Sequence, residues 1–305
     1  MKKIPLLFIV FLPTFVTAQI LFQDDFNGTS LDTTEWFERP RPVNAPIGRT
    51  QTGSSPVIAD GIARLQFDTY NPNAPGRLFS GTELLSLTKY SLDTPGIQGL
   101  EFETRMRIGT PLPNGLVVGF FTFGRDGFTS AGDGGTGGFD EIDIEIVSNL
   151  INNPTTPSRT QEILFNTFDG QTGGDTIELG PNLIDISALN LSEFNTYKIR
   201  WLPDKIQWFI NDQKLFTLTE SEGAADLANS EQGIHLNLWA PGSSFGLAYD
   251  SGLTPTTDPG LNENFFIESD YIRVTAIPEP EIFGFYFGSI TMLGVFLKRL
   301  FGKRK

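Results

Sequence analysis

From Phe139 to Val147 the chain alternates without a break, with Glu141, Asp143 and Glu145 on one set of positions and Ile142, Ile144 and Ile146 on the other. A period of two belongs to an extended strand, whose successive side chains point to opposite faces. The isoleucines therefore bury one face in a core, and the acids line the open face of the same sheet. This stretch must be a half-buried β-strand.

Runs of the same kind recur at 57–59, 63–67, 100–108, 116–123, 162–168, 197–202, 206–210, 214–218, 234–239 and 265–276, bounded by Gly, Pro, Asn and Asp. Such punctuated runs read as strands. Asp60-Gly61 and Asn211-Asp212 sit between strand pairs as hairpin turns. No segment keeps a 3.6-residue apolar period; one short helix is expected around 220–227. The fold class that follows is all-β, an antiparallel β-sandwich of two sheets. The Gly-rich segment 126–138 and the polar segment 149–159 flank the acidic strand as loops, where a site is commonly built.

Composition narrows the chemistry. The 305 residues contain no Cys and one His, His235, which excludes thiol nucleophiles and Cys-based zinc sites and leaves a Ser-His-Asp triad or a His-rich metal site improbable. Hydrolytic chemistry must rest on carboxylates. The net charge of −14 leaves nucleic acid no basic surface to bind, whereas a neutral polysaccharide meets no such penalty.

Three acids on one strand face repel one another at about 6.6–7 Å spacing and raise each other's pKa. Asp and Glu are also poor strand formers. A local rule broken in this way is expected at a working site. The α-carbons of Glu141 and Glu145 lie roughly 13 Å apart in an extended strand, and the side chains lean inward. That can approach the ~5–5.5 Å used in double-displacement glycoside hydrolysis, with one carboxylate as nucleophile and the other as acid/base. The competing readings are a charged strand that blocks edge pairing and a calcium cluster.

Both ends read as addresses. Residues 1–18 have a basic start, an apolar run and Val16-Thr17-Ala18, as a secretory signal peptide does; a retained membrane anchor is the alternative. At 278–305, Pro278-Glu279-Pro280 precedes an apolar run and a basic tail, an order that resembles the PEP-CTERM sorting signal; a simple single-span anchor is its alternative. The expectation is a secreted or cell-surface protein, handled by export and sorting machinery, with transient membrane contact through its C-terminal segment. The leader carries two net positive charges and the tail three, so the body at 19–277 carries −19.

From about Leu21 to Thr275 the chain resembles glycoside hydrolase family 16, the concanavalin A-like group. The central motif is Glu141-Ile142-Asp143-Ile144-Glu145, in the unbulged form similar to lichenases and xyloglucan enzymes. Gly99–Met106, the Tyr197–Pro203 and Ile206–Asp212 pair, and Leu236-Asn237-Leu238-Trp239 agree with it in order. The resemblance implies a jelly-roll domain over 19–277 and a β-glucan-type polysaccharide substrate. It implies Glu141 as nucleophile, Asp143 as the assisting acid and Glu145 as acid/base. It places Phe139, Asn166, Phe168, Asn237 and Trp239 at the substrate, with core packing as the competing role for Phe168 and Trp239. Trp201 and Trp208 are expected in the core. No cofactor is required; a structural calcium is implied at Asp270, with backbone oxygens from Asp25 and Gly61. A monomer is expected. Transglycosylation on the same carboxylates and a non-catalytic carbohydrate-binding protein are the alternatives.

Overall fold

The computed structural model describes residues 18–38, 41–125, 139–155, 158–170, 176–219 and 227–279. The expected leader up to residue 17, the sorting segment from 280, the loop 126–138 and the short helix over 220–226 lie outside the described residues.

Two sheets stack face to face. The first, of ten strands, is built around β8 (Ile97–Ile108), β14 (Asn195–Leu202), β15 (Lys205–Ile210), β5 (Ile62–Asp68) and β18 (Asn264–Pro278). The second, of eight strands, runs β12 (Thr176–Glu178), β11 (Glu162–Gly170), β10 (Phe139–Val147), β9 (Val117–Arg125), β17 (Gln232–Trp239), β7 (Glu83–Tyr90) and β2 (Trp36–Glu38), with β13 (Asn182–Asp185) also paired to β11. Pairing is antiparallel except between β3 (Thr50–Thr52) and β6 (Phe79–Gly81), which run parallel at the edge of the first sheet. The all-β sandwich expected from the sequence is the observed architecture.

Alternation decides which faces meet. Leu100, Phe102 and Met106 of β8, Ile142, Ile144 and Ile146 of β10, Val118 and Phe120 of β9, and Ile234, Leu236 and Leu238 of β17 are buried together between the sheets. The intervening residues of β8 (Glu101, Glu103, Arg105 and Arg107) lie on the outer face of the first sheet in ion pairs: Arg64 and Arg107 on Glu268, Lys198 on Glu103 and Arg105 on Asp270. Segment 99–106 thus belongs to the sheet opposite the acidic strand. Both expected hairpins close through left-handed pairs, Asp60 and Gly61 at φ 54° and 74° and Asn211 and Asp212 at 48° and 60°. Those signs fit the type I′ turn that follows strand twist.

The expectation that 149–159 is open loop needs correction. Ser148–Asn152 is a short helix, α1, with Ser148 and Leu150 buried. Leu150 packs with Val117, Val147, Leu164 and Ala248 in a second small apolar cluster. The following turn is tied down by buried Glu162, which accepts from Thr155 N (2.6 Å), Thr155 Oγ1 (2.7 Å) and Arg159 Nη1 (2.6 Å). Isolated polar residues in the sequence hid these local bonds.

Candidate active site

The outer face of the second sheet is a floor laid out by strand register, because directly opposed residues share a face. One row runs Glu178, Phe168, Glu141, Phe123 and Gly233. The next runs Asn166, Asp143, Phe121, His235 and Leu85. A third runs Leu164, Glu145, Gly119, Asn237 and Glu83, and Val147, Val117 and Trp239 close that end. Glu141, Asp143 and Glu145 therefore stand side by side on the open face, as alternation requires.

Behind them the strand is held by the core. Trp208, from the opposite sheet, is fully buried, stacks on Phe165 at 5.7 Å and donates its indole N–H to the Asp143 carbonyl at 2.9 Å. Asp140 points to the other face and accepts from three backbone amides: Gly170 (2.7 Å), Asn229 (2.9 Å) and Ser230 (2.7 Å). The acid that falls out of the alternating trio thus serves as a clasp between β10, β11 and the chain entering β17.

Electrostatics separates the roles the trio can play. Burial is the largest cause that raises the Asp143 carboxyl well above its ordinary value; the charges of Glu141 and Glu145 and a side-chain hydrogen bond with Glu141 add to it. Burial and the neighbouring charges thus favour the protonated form of Asp143 beside Glu141. Burial, then the charges of Glu141 and Glu178, push Glu145 up to about 8. A carboxyl that keeps its proton at neutral pH is equipped to be a general acid. Since the folded protein holds a proton between the ordinary value of 4.5 and about 8 that the unfolded chain has released, Glu145 makes stability fall as pH rises through that window. Any activity that needs the protonated acid should fall on the alkaline side near pH 8, in a kcat/KM profile.

The expected substrate positions divide. Phe139 and Phe168 are half-buried on the floor beside Glu141, 5.5 Å apart, and Phe139 also stacks on Phe123 at 5.3 Å. Trp239 is half-buried at the other end, where it packs against Phe245 and the second apolar cluster, so it serves the core and the cleft at once. Asn166 is 5% exposed, and its amide Nδ2 is donated to Glu178 Oε1 at 2.7 Å. Asn237 is fully buried under the Glu145 row, with neither amide atom hydrogen-bonded to a described residue. Trp201 is in the core, as expected. His235 is buried, stacked on Phe121 at 4.5 Å and bonded through Nδ1 to Glu83 at 3.2 Å.

Sequence reading missed Glu178, Phe121, Phe123, Gly119 and Glu83. Phe121 and Phe123 were legible as the open-face partners of an alternating run. Gly119 matters by what it omits: a Cβ there would lie 2.8 Å from Asn237 Oδ1, so glycine alone fits between Glu145 and Asn237. Glu178 sits on a three-residue strand with no pattern to reveal it.

With this geometry in place, likeness to known proteins becomes informative. The family described as glycosyl hydrolases family 16 matches residues 97–260, more than half of the chain. The chain belongs to glycosyl hydrolase family 16. A β-glucanase of Brevibacillus brevis is 27% identical over 261 residues, 86% of this chain and 84% of that one. A prokaryotic β-1,3-1,4-glucanase (lichenase) from a mouse hindgut metagenome superposes with a TM-score of 0.59 at 21% identity, over 85% of this chain and 99% of that one. The catalytic domain of an endo-1,3-β-glucanase (laminarinase) from Thermotoga petrophila does so with 0.58 at 16%, over 85% and 98%. Family 16 membership makes the chain a glycoside hydrolase and accounts for the jelly-roll sandwich.

Family 16 likeness also implied the calcium, and the residues fit it in part. The Asp25 carbonyl and Asn27 Oδ1 lie 3.7 and 3.6 Å from where a Gly61 Cβ would stand. Asp270 Oδ1 is buried without a hydrogen bond among the described residues, while Oδ2 is held by Arg105. Burial raises the Asp270 carboxyl, Arg105 opposes, and the nearby charge of Asp25 adds to the rise. The Asp25 charge thus reaches Asp270, and a carboxylate oxygen without a hydrogen bond is the kind of ligand that suits a hard cation. Among the described residues no three His, Cys, Asp or Glu side chains group into a metal site, so any such ion leans on backbone oxygens. Calcium at a hundredfold excess over its Kd is expected to stabilise the fold by about 2.7 kcal/mol. Thermal melts with calcium and with chelator check this, and Asp270→Ala should erase the difference.

Proposed function

We propose that this family 16 chain is an exported, retaining endo-β-glycosidase that cleaves a β-1,3/1,4-linked glucan-type polysaccharide. The Glu141 carboxylate attacks the anomeric carbon while the Glu145 carboxyl gives its proton to the departing glycosidic oxygen. The covalent glycosyl-enzyme is then opened by water, whose proton returns to Glu145 as its other fragment bonds to the sugar and Glu141 leaves. Asp143 donates a hydrogen bond to Glu141 and steadies it between the two steps. Phe139, Phe168 and Trp239 offer ring faces to sugars along the groove.

The observation that carries this reading is the placement of Glu145, raised by burial and neighbouring charge, on the same face as Glu141. A lectin gains nothing from three mutually repelling carboxylates on one strand face. The names of the relatives, β-glucanase, lichenase and laminarinase, put β-1,3 and β-1,4 glucans first among substrates. Export and C-terminal sorting complete the proposal, with exopolysaccharide remodelling as the setting. In support, Gln19 at the start of β1 (Gln19–Asp24) pairs with Ala276 near the end of β18, so both ends leave the sheet opposite the acids. A tether there leaves the cleft free.

The test is to incubate the purified protein with mixed-linkage glucan, laminarin, xyloglucan, agar and carrageenan. Reducing ends or transferred oligosaccharides of retained anomeric configuration, read by proton NMR, are expected. Binding without turnover on every polymer would return the reading to a carbohydrate-binding protein, and an inverted product would remove the covalent step.

A further inference from the structure

Resting on that reading of the trio, we infer that Glu178 is a fourth working carboxylate of the cleft, a positioning residue braced by Asn166 that supplies charge at the edge of the acid group. β12 is hydrogen-bonded to β11 so that Glu178 opposes Phe168, and Phe168 opposes Glu141. Opposed residues share a face, so the Glu178 side chain projects into the cleft, two strand spacings or about 10 Å from the Glu141 backbone. Its carboxylate is aimed: Asn166, which opposes Asp143, donates to Oε1 at 2.7 Å and draws the group towards the level of the middle acid.

The brace itself is pinned. A Cβ at Gly180 would stand 2.1 Å from Asn166 Oδ1, so the chain beyond Glu178 closes over the amide only because glycine is there. Asn166 is buried and Glu178 is exposed. The buried amide, expected from the sequence to meet substrate, instead orients an accessible carboxylate. The Glu178 charge reaches both Asp143 and Glu145 in the same sense as Glu141 does.

Among the described residues, Arg125 at the end of β9 opposes Phe139 at the margin of this floor. From β11, Glu162 is committed to Arg159 and Thr155, while Leu164, Asn166 and Phe168 are uncharged. From β9 come Gly119, Phe121 and Phe123. From β17 and β7 come His235, paired with Glu83, and Lys89 opposite Gly233; Arg41 approaches Glu83 at 3.7 Å. His235, Glu83 and Lys89 lie beyond β9, and on the β11 side Glu178 is the carboxylate whose charge acts on both Asp143 and Glu145.

Glu178→Gln keeps an oxygen for the Asn166 amide and removes the charge. In the full-length protein at low ionic strength, the alkaline limb of kcat/KM is expected to move down by about half a pH unit or more, since losing a nearby negative charge makes Glu145 release its proton sooner. Added salt should shrink the difference between variant and wild type, and the melting temperature should stay put. An active variant whose limb coincides with wild type, or one that loses activity equally at every pH, overturns the inference. Asn166→Ala, which frees the carboxylate to swing away, should move the limb in the same direction by less. Inactivity of the wild type on all polysaccharides would instead strike the functional reading itself.

Discussion

Glu141→Gln is expected to leave a folded protein whose kcat/KM on its polysaccharide falls by about 10⁴-fold or more, the loss typical of removing a nucleophile. The amide is isosteric and Glu141 is half-exposed, so the melting temperature should hardly change. Glu145→Gln gives a different signature. A missing general acid costs about 10²–10⁴ on a sugar leaving group. An activated aryl glycoside needs no proton to depart, so its first step is largely spared and the glycosyl-enzyme accumulates. A burst of phenol followed by slow turnover would identify Glu145 as the proton donor and base. The pair is diagnostic because burial and neighbouring charge raise Glu145 to about 8, and removing Glu141 also removes one of those charges. If Glu141→Gln kept activity within tenfold of wild type, the acids on β10 would not be the reacting groups.

The sequence revealed most where one physical demand dominated. The bounds expected for the acidic strand, 139–147, are those of β10, because three isoleucines in the core and three acids on the opposite face admit no other register. The Asp60-Gly61 and Asn211-Asp212 turns were legible because adjacent left-handed residues are rare and those residue types tolerate them. What escaped was short or determined from afar. Strands of three residues, such as Trp36–Glu38, Thr50–Thr52 and Thr176–Glu178, hold too few alternations to show a period. Glu83–Tyr90 was overlooked although it carries Glu83 onto the cleft floor, because Leu84 and Leu85 are both buried and blur its alternation. Asn166 was expected to offer its amide to substrate; its commitment to Glu178 depends on a strand that only folding brings alongside. Asp25 lies beside Gly61 and its charge acts on Asp270, yet Asn27 and Arg105 stand beside these residues without any local signal.

Trp208→Ala is expected to be the most damaging single change away from the cleft. Large-to-small aromatic truncation in a closed core costs about 3–5 kcal/mol, and here the ring is fully buried between Phe165 and Phe216, 5.7 and 5.6 Å away. Further loss comes from the Asp143 carbonyl, which would lose the indole donor; a typical hydrogen bond contributes about 0.5–1.5 kcal/mol. Trp208→Phe separates the two effects, since it keeps much of the packing and removes only the N–H; about 1–2 kcal/mol is expected. Denaturant midpoints at constant m-value measure both. Because that N–H fixes the backbone of the middle acid from beneath, Trp208→Phe should also lower kcat more than it raises KM. A Trp208→Ala protein within about 1 kcal/mol of wild type would mean that the two sheets do not depend on this contact. In that case the acidic strand must be positioned chiefly by its neighbours β9 and β11 and by the Asp140 clasp.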